Sequence, residues 1–177
     1  MNRRRVLITG AGSGLGQALA VRYARSGAIV ACADLVLERA QQTVAMLDGD
    51  GHLALQVDVG DDAAFEAMVQ ALARQWPQVD VLVNNAGIAS GGPMVETTME
   101  EWRRLLEVNL LSVVRGCRAY APGMIERGSG HVVNTASFAG LAAAPSIMSY
   151  GVSKAALQAL SRGYAKALAG TGVTANA

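Results

Sequence analysis

Within the first 25 residues a short apolar run, a glycine-dense turn and an amphipathic helix follow one another, and that succession restricts the fold more than any other feature. Residues 5 to 9 read as a buried strand. Gly10-Ala11-Gly12-Ser13-Gly14-Leu15-Gly16 read as the turn, and the segment carrying Leu19, Ala20 and Tyr23 as the helix. Glycines let a backbone pass close to a ligand, and the free N–H groups at a helix start attract negative charge. A turn built this way cradles an anion such as a pyrophosphate. The strict GxGxxG spacing is not met, because Leu15 stands where the third glycine would fall; the spacing is instead TGxxxGxG.

The same alternation continues along the chain. Ala28 to Ala33 reads as a second strand and residues 36 to 47 as a helix. His52 to Val59 is a third strand, and Asp61 and Asp62 then start a helix with Phe65, Met68, Val69 and Leu72 on its apolar stripe. Val79 to Val83 is a fourth. Thr97-Thr98-Met99-Glu100-Glu101 carries two overlapping capping boxes, opening a long helix through about Cys117. Gly130 to Ala136 is a fifth strand and Gly151 to Leu168 a helix, which Gly170-Thr171-Gly172 ends before Val173 begins a sixth strand. Strands alternating with helices predict a single α/β domain, a doubly wound parallel sheet in three α/β/α layers, over residues 1–177.

With 177 residues, 51% of them apolar, the chain can bury one sizeable core. A net charge of +1 gives no general attraction to nucleic acid or anionic lipid, and Arg3-Arg4-Arg5 reads as solvated charge flanking a strand. Val6-Leu7-Ile8 is too short for a signal-peptide core, and nowhere do 18 apolar residues run together, so a soluble, cytoplasmic protein is expected. Cys32 and Cys117 lie far apart and share no spacing with His52 or His131. They read as buried small hydrophobes, neither disulfide nor metal ligands.

In an open α/β sheet the C-terminal strand ends face the ligand crevice, so residues distant in sequence converge there. Asp34, at the end of the second strand, lies close to the distance at which a carboxylate meets the adenosine ribose of a dinucleotide. A carboxylate accepts from ribose hydroxyls but repels a 2′-phosphate, and neither Ser13 nor Leu35 offers a cation to offset that, so NAD is favoured over NADP. Asp34 could instead cap the following helix. Asp58 faces the same end, and Asn84-Asn85-Ala86-Gly87 follow the fourth strand.

Ser137 lies at the end of the fifth strand, thirteen residues before Tyr150. Tyr150 and Lys154 are four apart, so they stack on one helical face, and an ammonium there favours the phenolate, making an acid/base able to work near neutral pH. The bland alternative is a core tyrosine and a solvated lysine. Leu105 to Val114 is apolar nearly all round except Glu107, Asn109 and Ser112, which suggests a subunit contact, and a buried Asn109 needs partners. Residues 88 to 96 form a loop that borders a substrate or merely connects. Phe138, Leu141, Ile147 and Met148 hint at an apolar pocket or at packing.

These residues together resemble the short-chain dehydrogenase/reductase family, in its shorter single-domain branch, along the whole chain. Thr9-Gly10-x-x-x-Gly14-x-Gly16 resembles its cofactor loop, Asn84-Asn85-Ala86-Gly87 its strand-four motif, and Asn109, Ser137 and Tyr150-x-x-x-Lys154 its catalytic set. The resemblance implies NAD held by Gly10, Ser13, Gly14, Leu15 and Gly16, with Asp34 on the adenosine ribose and Asp58-Val59 near adenine. Asn85, Ala86 and Gly87 would line the bound ring, and Lys154 and Tyr150 would meet the nicotinamide ribose. The implied reaction interconverts a secondary alcohol and a ketone. Tyr150 exchanges the alcohol proton, Ser137 bonds the developing oxyanion, and Asn109 holds a relay water. The expected partner is a small-molecule substrate, in a homo-oligomer, dimer or tetramer. Relatives continue past Ala177 with a Pro-Gly turn, a substrate-covering loop and a further helix and strand, so this chain is expected to be part of a longer protein, lacking the last strand; the alternative is a natural truncation without its lid and a sheet edge. The rival readings are an NAD-binding protein without turnover and a lyase or epimerase on the same scaffold.

Overall fold

The computed structural model describes residues 3–142 and 144–177. Six parallel strands, β1 (Arg5–Thr9), β2 (Ile29–Asp34), β3 (Leu53–Gln56), β4 (Val81–Asn84), β5 (Gly130–Asn134) and β6 (Val173–Asn176), form one sheet in the order β3-β2-β1-β4-β5-β6. The chain starts in the middle, winds outward to β3, returns to β4 beside β1 and winds out the other way. Its direction of winding therefore reverses at the β1/β4 pair, where an open α/β sheet leaves a crevice beyond the strand ends.

The strands are continuous apolar runs because both faces are covered. Val6, Ile8, Val30, Cys32, Val81 and Val83 point into a core closed by α1 (Gly14–Arg25) and α2 (Leu37–Val44). Leu7, Ala31, Ala33, Leu82 and Val132 point the other way, against α3 (Asp62–Ala73), α5 (Ser112–Glu126) and α6 (Met148–Ala167), through Phe65, Met68, Val113, Met124 and Leu157. Alternate residues of β1 thus serve opposite cores, and the layer order is helix, sheet, helix as the pattern predicts.

Several boundaries differ from the sequence reading, each for a local reason. β3 stops at Gln56 because the chain turns at Asp58, whose carbonyl accepts from Asp61 N–H (3.1 Å) and whose carboxylate accepts from Gly60 N–H (2.9 Å). α2 stops at Val44, where Met46 N–H bonds the Thr43 carbonyl in a closing turn. Of the two capping boxes only Thr98–Glu101 forms; the Thr97 hydroxyl donates to the Pro93 carbonyl. The helix it opens, α4 (Met99–Leu106), widens into a π turn (Glu107–Leu111) before α5, which runs on to Glu126 past Gly116 and Pro122. Burial of Cys117, Ala121 and Met124 outweighs those two weak helix formers. β5 ends at Asn134, leaving Ser137 three residues beyond the strand, and α6 begins at Met148, so Tyr150 stands in its first turn.

Two glycines make opposite tests of this packing. Gly172 turns into β6 at φ +79°, and a Cβ there would lie 2.0 Å from the Gly128 carbonyl oxygen; Gly163, inside α6, has nothing within 4 Å. Gly172→Ala should cost about 1–3 kcal/mol, whereas Gly163→Ala should add about 1 kcal/mol of helix propensity. Denaturant midpoints of the two variants will read these shifts, which must carry opposite signs.

Candidate active site

A cleft of about 500 Å³ opens at the C-terminal ends of β1 to β5. Its floor is the glycine turn. A Cβ on Gly16 would sit 2.1 Å from the Gly10 carbonyl oxygen, so α1 closes onto the turn only with glycine there, while Gly14, at φ +53°, has open space where a side chain would stand. Ser13, the N-cap of α1, makes no side-chain capping bond, and no acidic residue occupies the first turn. The helix start is thus free to meet negative charge. Gly10, Ser13, Gly14, Leu15 and Gly16 all line the cleft.

At one end stand the two acids. Asp34 accepts the Gly12 N–H on Oδ2 (2.8 Å) and the Val36 N–H on Oδ1 (3.1 Å), binding the end of β2 to the glycine turn. Val36, with no side-chain capping bond, is the N-cap of α2, so Asp34 does not serve in that place. Arg39, in the first turn of α2, lines the same end of the cleft with Asp34 and Leu35. Ser13 and Leu35, the neighbours in sequence and motif, offer no cation; the helix brings one from five residues downstream of Asp34. Asp58 is held by the Arg104 guanidinium at 3.0 and 3.1 Å and by the Gly60 N–H. Burial alone would raise its pKa, but the Gly60 N–H and Arg104 outweigh that and hold it below the usual carboxylate range. Val59 completes this wall. Arg104, which spacing alone did not single out, reaches the cleft from α4.

The middle is tied by Thr9 and Asn85. The Thr9 hydroxyl oxygen accepts the N–H groups of Asn85 (3.0 Å) and Ala86 (3.1 Å), while Asn85 Nδ2 donates to the carbonyls of Thr9 (3.1 Å) and Gly10 (3.3 Å). Thr135 Oγ1 donates to Asn85 Oδ1 at 3.2 Å. Three strand ends are locked side by side, with Asn85, Ala86 and Gly87 presented to the cleft.

The far wall carries Tyr150 and Lys154. Lys154 is 4% exposed, its Nζ donates to the Thr135 carbonyl at 2.7 Å, and it lies 5.8 Å from the centroid of the Tyr150 ring. Desolvation pulls its pKa below the ordinary lysine range. The lysine is therefore no solvated surface charge. Asn109 is buried in the π turn, where Oδ1 accepts the Ile88 N–H (2.9 Å) and Nδ2 donates to the Ile88 carbonyl (2.9 Å) and to Ser153 Oγ (3.1 Å). Ser153 in turn donates to the Tyr150 carbonyl. A Cβ on Gly87 would lie 3.3 Å from Asn109 Oδ1 and 3.7 Å from Lys154 Nζ, which places both polar groups behind that glycine. Neither Asn109 nor Ser137 lines the cleft itself. Ser137 caps a single 3-10 turn (Phe138–Gly140), its Oγ accepting the Ala139 N–H at 3.2 Å. Ser153 and Thr135 escaped sequence reasoning, since a lone hydroxyl or carbonyl carries no spacing signal.

Phe138 and Leu141 are 78% and 72% exposed, so they are not core, and Leu141 and Met148 border a second, apolar groove of about 260 Å³ on the outer side of α6. Cys32 and Cys117 are buried thiols, pushed by burial up to about 12 and about 11. Among the described residues no group of His, Cys, Asp and Glu could hold a metal ion, and no helix is long and apolar enough to cross a membrane.

Comparison with known proteins gives the same arrangement a context. The chain is 37% identical over 172 residues to the D-threitol dehydrogenase of Mycolicibacterium smegmatis, covering 96% of this chain and 66% of that protein. Its fold superposes with a TM-score of 0.93 on a short chain dehydrogenase/reductase from Burkholderia phymatum in complex with NAD (34% identity, 98% of this chain and 63% of that one). It superposes at 0.88 on a NAD(P)-dependent gluconate 5-dehydrogenase from Beutenbergia cavernae with bound NADP (35% identity, 98% and 70%). The chain thus spans about two thirds of the length of these proteins. Residues 4–177 match the family described as short chain dehydrogenase, and the chain belongs to that family.

Proposed function

We propose that this chain carries the dinucleotide site and the reactive wall of an NAD-dependent oxidoreductase interconverting a small secondary alcohol and a ketone. The observation that carries the proposal is the buried Lys154 ammonium, held on the Thr135 carbonyl beside Tyr150, in the cleft that also holds the open glycine turn and Asp34. The turn fits a dinucleotide, since the helix start is free of acids and Gly14 leaves room for a ligand to approach the backbone. When bound, the nicotinamide supplies the hydride acceptor or donor.

The chain's own residues handle the proton. Tyr150 Oη takes the alcohol proton as the carbinol carbon is oxidised and returns it in ketone reduction, while Ser137, in the turn just beyond the cleft lining, is assigned the hydrogen bond to the oxygen on which charge develops once substrate extends the site toward it. Lys154 stabilises the charge left on the phenol oxygen. Among the described residues its one hydrogen-bond acceptor is Thr135, so two of its N–H groups remain for ribose hydroxyls. Asn109, with its oxygen beside Lys154 across Gly87, is assigned the water that passes the proton outward. NAD is the assigned cofactor on the strength of Asp34, with Asp58 and Val59 toward adenine. Arg39 at the same rim offers a 2′-phosphate some compensation. A cytoplasmic location and a homo-oligomer complete the proposal, and for the oligomer the support is an apolar groove between α5 and α6 lined by Val114, Cys117, Ile125, Leu160 and Tyr164.

Two assays on the full-length protein test this reading. Growth of reduced-nicotinamide absorbance over a panel of secondary alcohols should be seen for the wild type, and Tyr150→Phe should lower kcat by about 10²–10⁴-fold with the Kd for NAD changed less than about twofold. Turnover retained in that variant rejects the assignment. In the second assay, Asp34→Ala should lower the NAD/NADP ratio of kcat/KM by about tenfold or more, the scale of one charged hydrogen bond. Arg39→Ala should lower kcat/KM with NADP alone. An unchanged ratio in Asp34→Ala removes that carboxylate from cofactor choice.

A further inference from the structure

The helix bearing Tyr150 and Lys154 rests on the sheet largely through polar side chains. Its buried residues are Ser149, Ser153, Lys154, Leu157 and Ser161, of which only Leu157 is apolar. Leu160, Tyr164 and Ala165 pack partly buried against the same core, but hydrophobic contact is non-directional, so these contacts do not define how far the helix slides along its strands. Directional bonds must do so.

They form a continuous buried chain across three elements. Asn84 Nδ2, at the end of β4, donates to Asn134 Oδ1 at the end of β5 (2.9 Å). Asn134 Nδ2 donates to Ser161 Oγ on α6 (2.9 Å), and Ser161 Oγ donates to the Leu157 carbonyl one turn back (2.8 Å). Asn84, Asn134 and Ser161 are 5%, 2% and 3% exposed. Gly116 of α5 closes the other end, since a Cβ there would lie 2.5 Å from Asn84 Oδ1. A buried polar network whose members are all bonded is stiff and specifies one arrangement.

The geometry points to a positioning role: we propose that Asn84, Asn134 and Ser161 form a hydrogen-bonded ladder that fixes α6 along β5 and thereby places Lys154 and Tyr150 in the cleft. Ser161 follows Lys154 by seven residues, which is about 10 Å along the axis and within about 20° in phase, so both lie on one stripe. Asn134 and Thr135 are consecutive, and through them β5 grips that stripe at two points, by a side chain at Ser161 and by a carbonyl at Lys154. With two grips the helix neither slides nor turns. Without Ser161, β5 keeps only the Thr135 carbonyl on that stripe, and the remaining bonds, Ser153 to Asn109 and Gln158 to the Ser137 carbonyl, all lie toward the N-terminal side of Ser161, so the C-terminal half of the helix pivots about the ammonium.

The kinetic part of this inference rests on the proposed reaction; the placement of Lys154 does not. The chain has two lysines, and Lys166 is exposed, so it serves as an internal reference for trace acetylation with acetic anhydride read by mass spectrometry in the full-length protein. Ser161→Ala should raise the labelling rate of Lys154 relative to Lys166 by about fivefold or more and lower kcat by about 10- to 100-fold, with the KM for NAD changed less than about threefold. Ser161→Thr, which keeps the hydroxyl, should hold wild-type values for both. Met124→Ala, a buried truncation on α5 outside the ladder, should lower stability while leaving Lys154 labelling unchanged. Should Ser161→Ala not fold, Ser161→Cys keeps the volume with a weak sulfur acceptor and is expected to show the same labelling increase. Lys154 labelling within twofold of wild type in the folded Ala or Cys variant, or an equal rise in Met124→Ala, overturns the ladder's role. If wild type shows the labelling pattern without any alcohol turnover, the ladder stands and the proposed reaction falls.

Discussion

The structure turns on one hydrogen bond, from the buried Lys154 ammonium to the Thr135 carbonyl. Removing an ammonium from water costs on the order of several kcal/mol unless fixed dipoles replace the lost hydration. One carbonyl does not supply that. Burial accordingly lowers the lysine pKa from its ordinary range. A chain that keeps such a charge next to a phenol, on the wall of an open cleft, holds an electrostatic arrangement that a purely structural core would replace with apolar residues.

The rest of the fold exists to make that contact reproducible. The winding reversal between β1 and β4 opens the crevice, and Thr9, Asn85 and Thr135 bind the three neighbouring strand ends into one edge. From that edge the Thr135 carbonyl meets the lysine. The π turn has a matching role on the other flank, because it aims Asn109 at both Ile88 and Ser153 and so bridges the loop after β4 to the second turn of α6. Positive and negative groups alternate at the opposite end of the cleft, where Arg104 steadies Asp58 and Arg39 stands at the rim beside Asp34.

Much of this was legible in the sequence. The six apolar runs and the glycine turn predicted the sheet and its two cores, because strands buried on both faces leave an unbroken hydrophobic signature. The motif spacings likewise brought Asp34, Asp58, Asn85, Tyr150 and Lys154 to one cleft, since strand-end geometry ignores sequence distance. What the sequence hid were features decided by tertiary packing. Helix α5 passes Gly116 and Pro122 because its stripe is buried, the π turn leaves no compositional trace, and Arg39 reaches the acid end only because α2 begins two residues before it, at the rim of the cleft. The bonds of Ser153 and Ser161 were equally silent, for a serine in a helix announces no partner until the neighbouring strand is in place. Ser137 is the other instructive residue: the pattern put it at a strand end, whereas β5 stops at Asn134 and Ser137 caps a separate turn beside the cleft.

Whether the cleft sets Lys154 and Tyr150 against a nicotinamide is decided by a crystal structure of the full-length protein grown with oxidised dinucleotide. The pyrophosphate should lie against the backbone of Gly14-Leu15-Gly16, the adenosine ribose at Asp34, and the nicotinamide ribose within hydrogen-bonding reach of Lys154 Nζ, with Tyr150 Oη and Ser137 Oγ facing the same side of the nicotinamide ring. A dinucleotide bound with its nicotinamide away from Tyr150, or a Lys154 that leaves Thr135 for solvent in the complex, would contradict that placement.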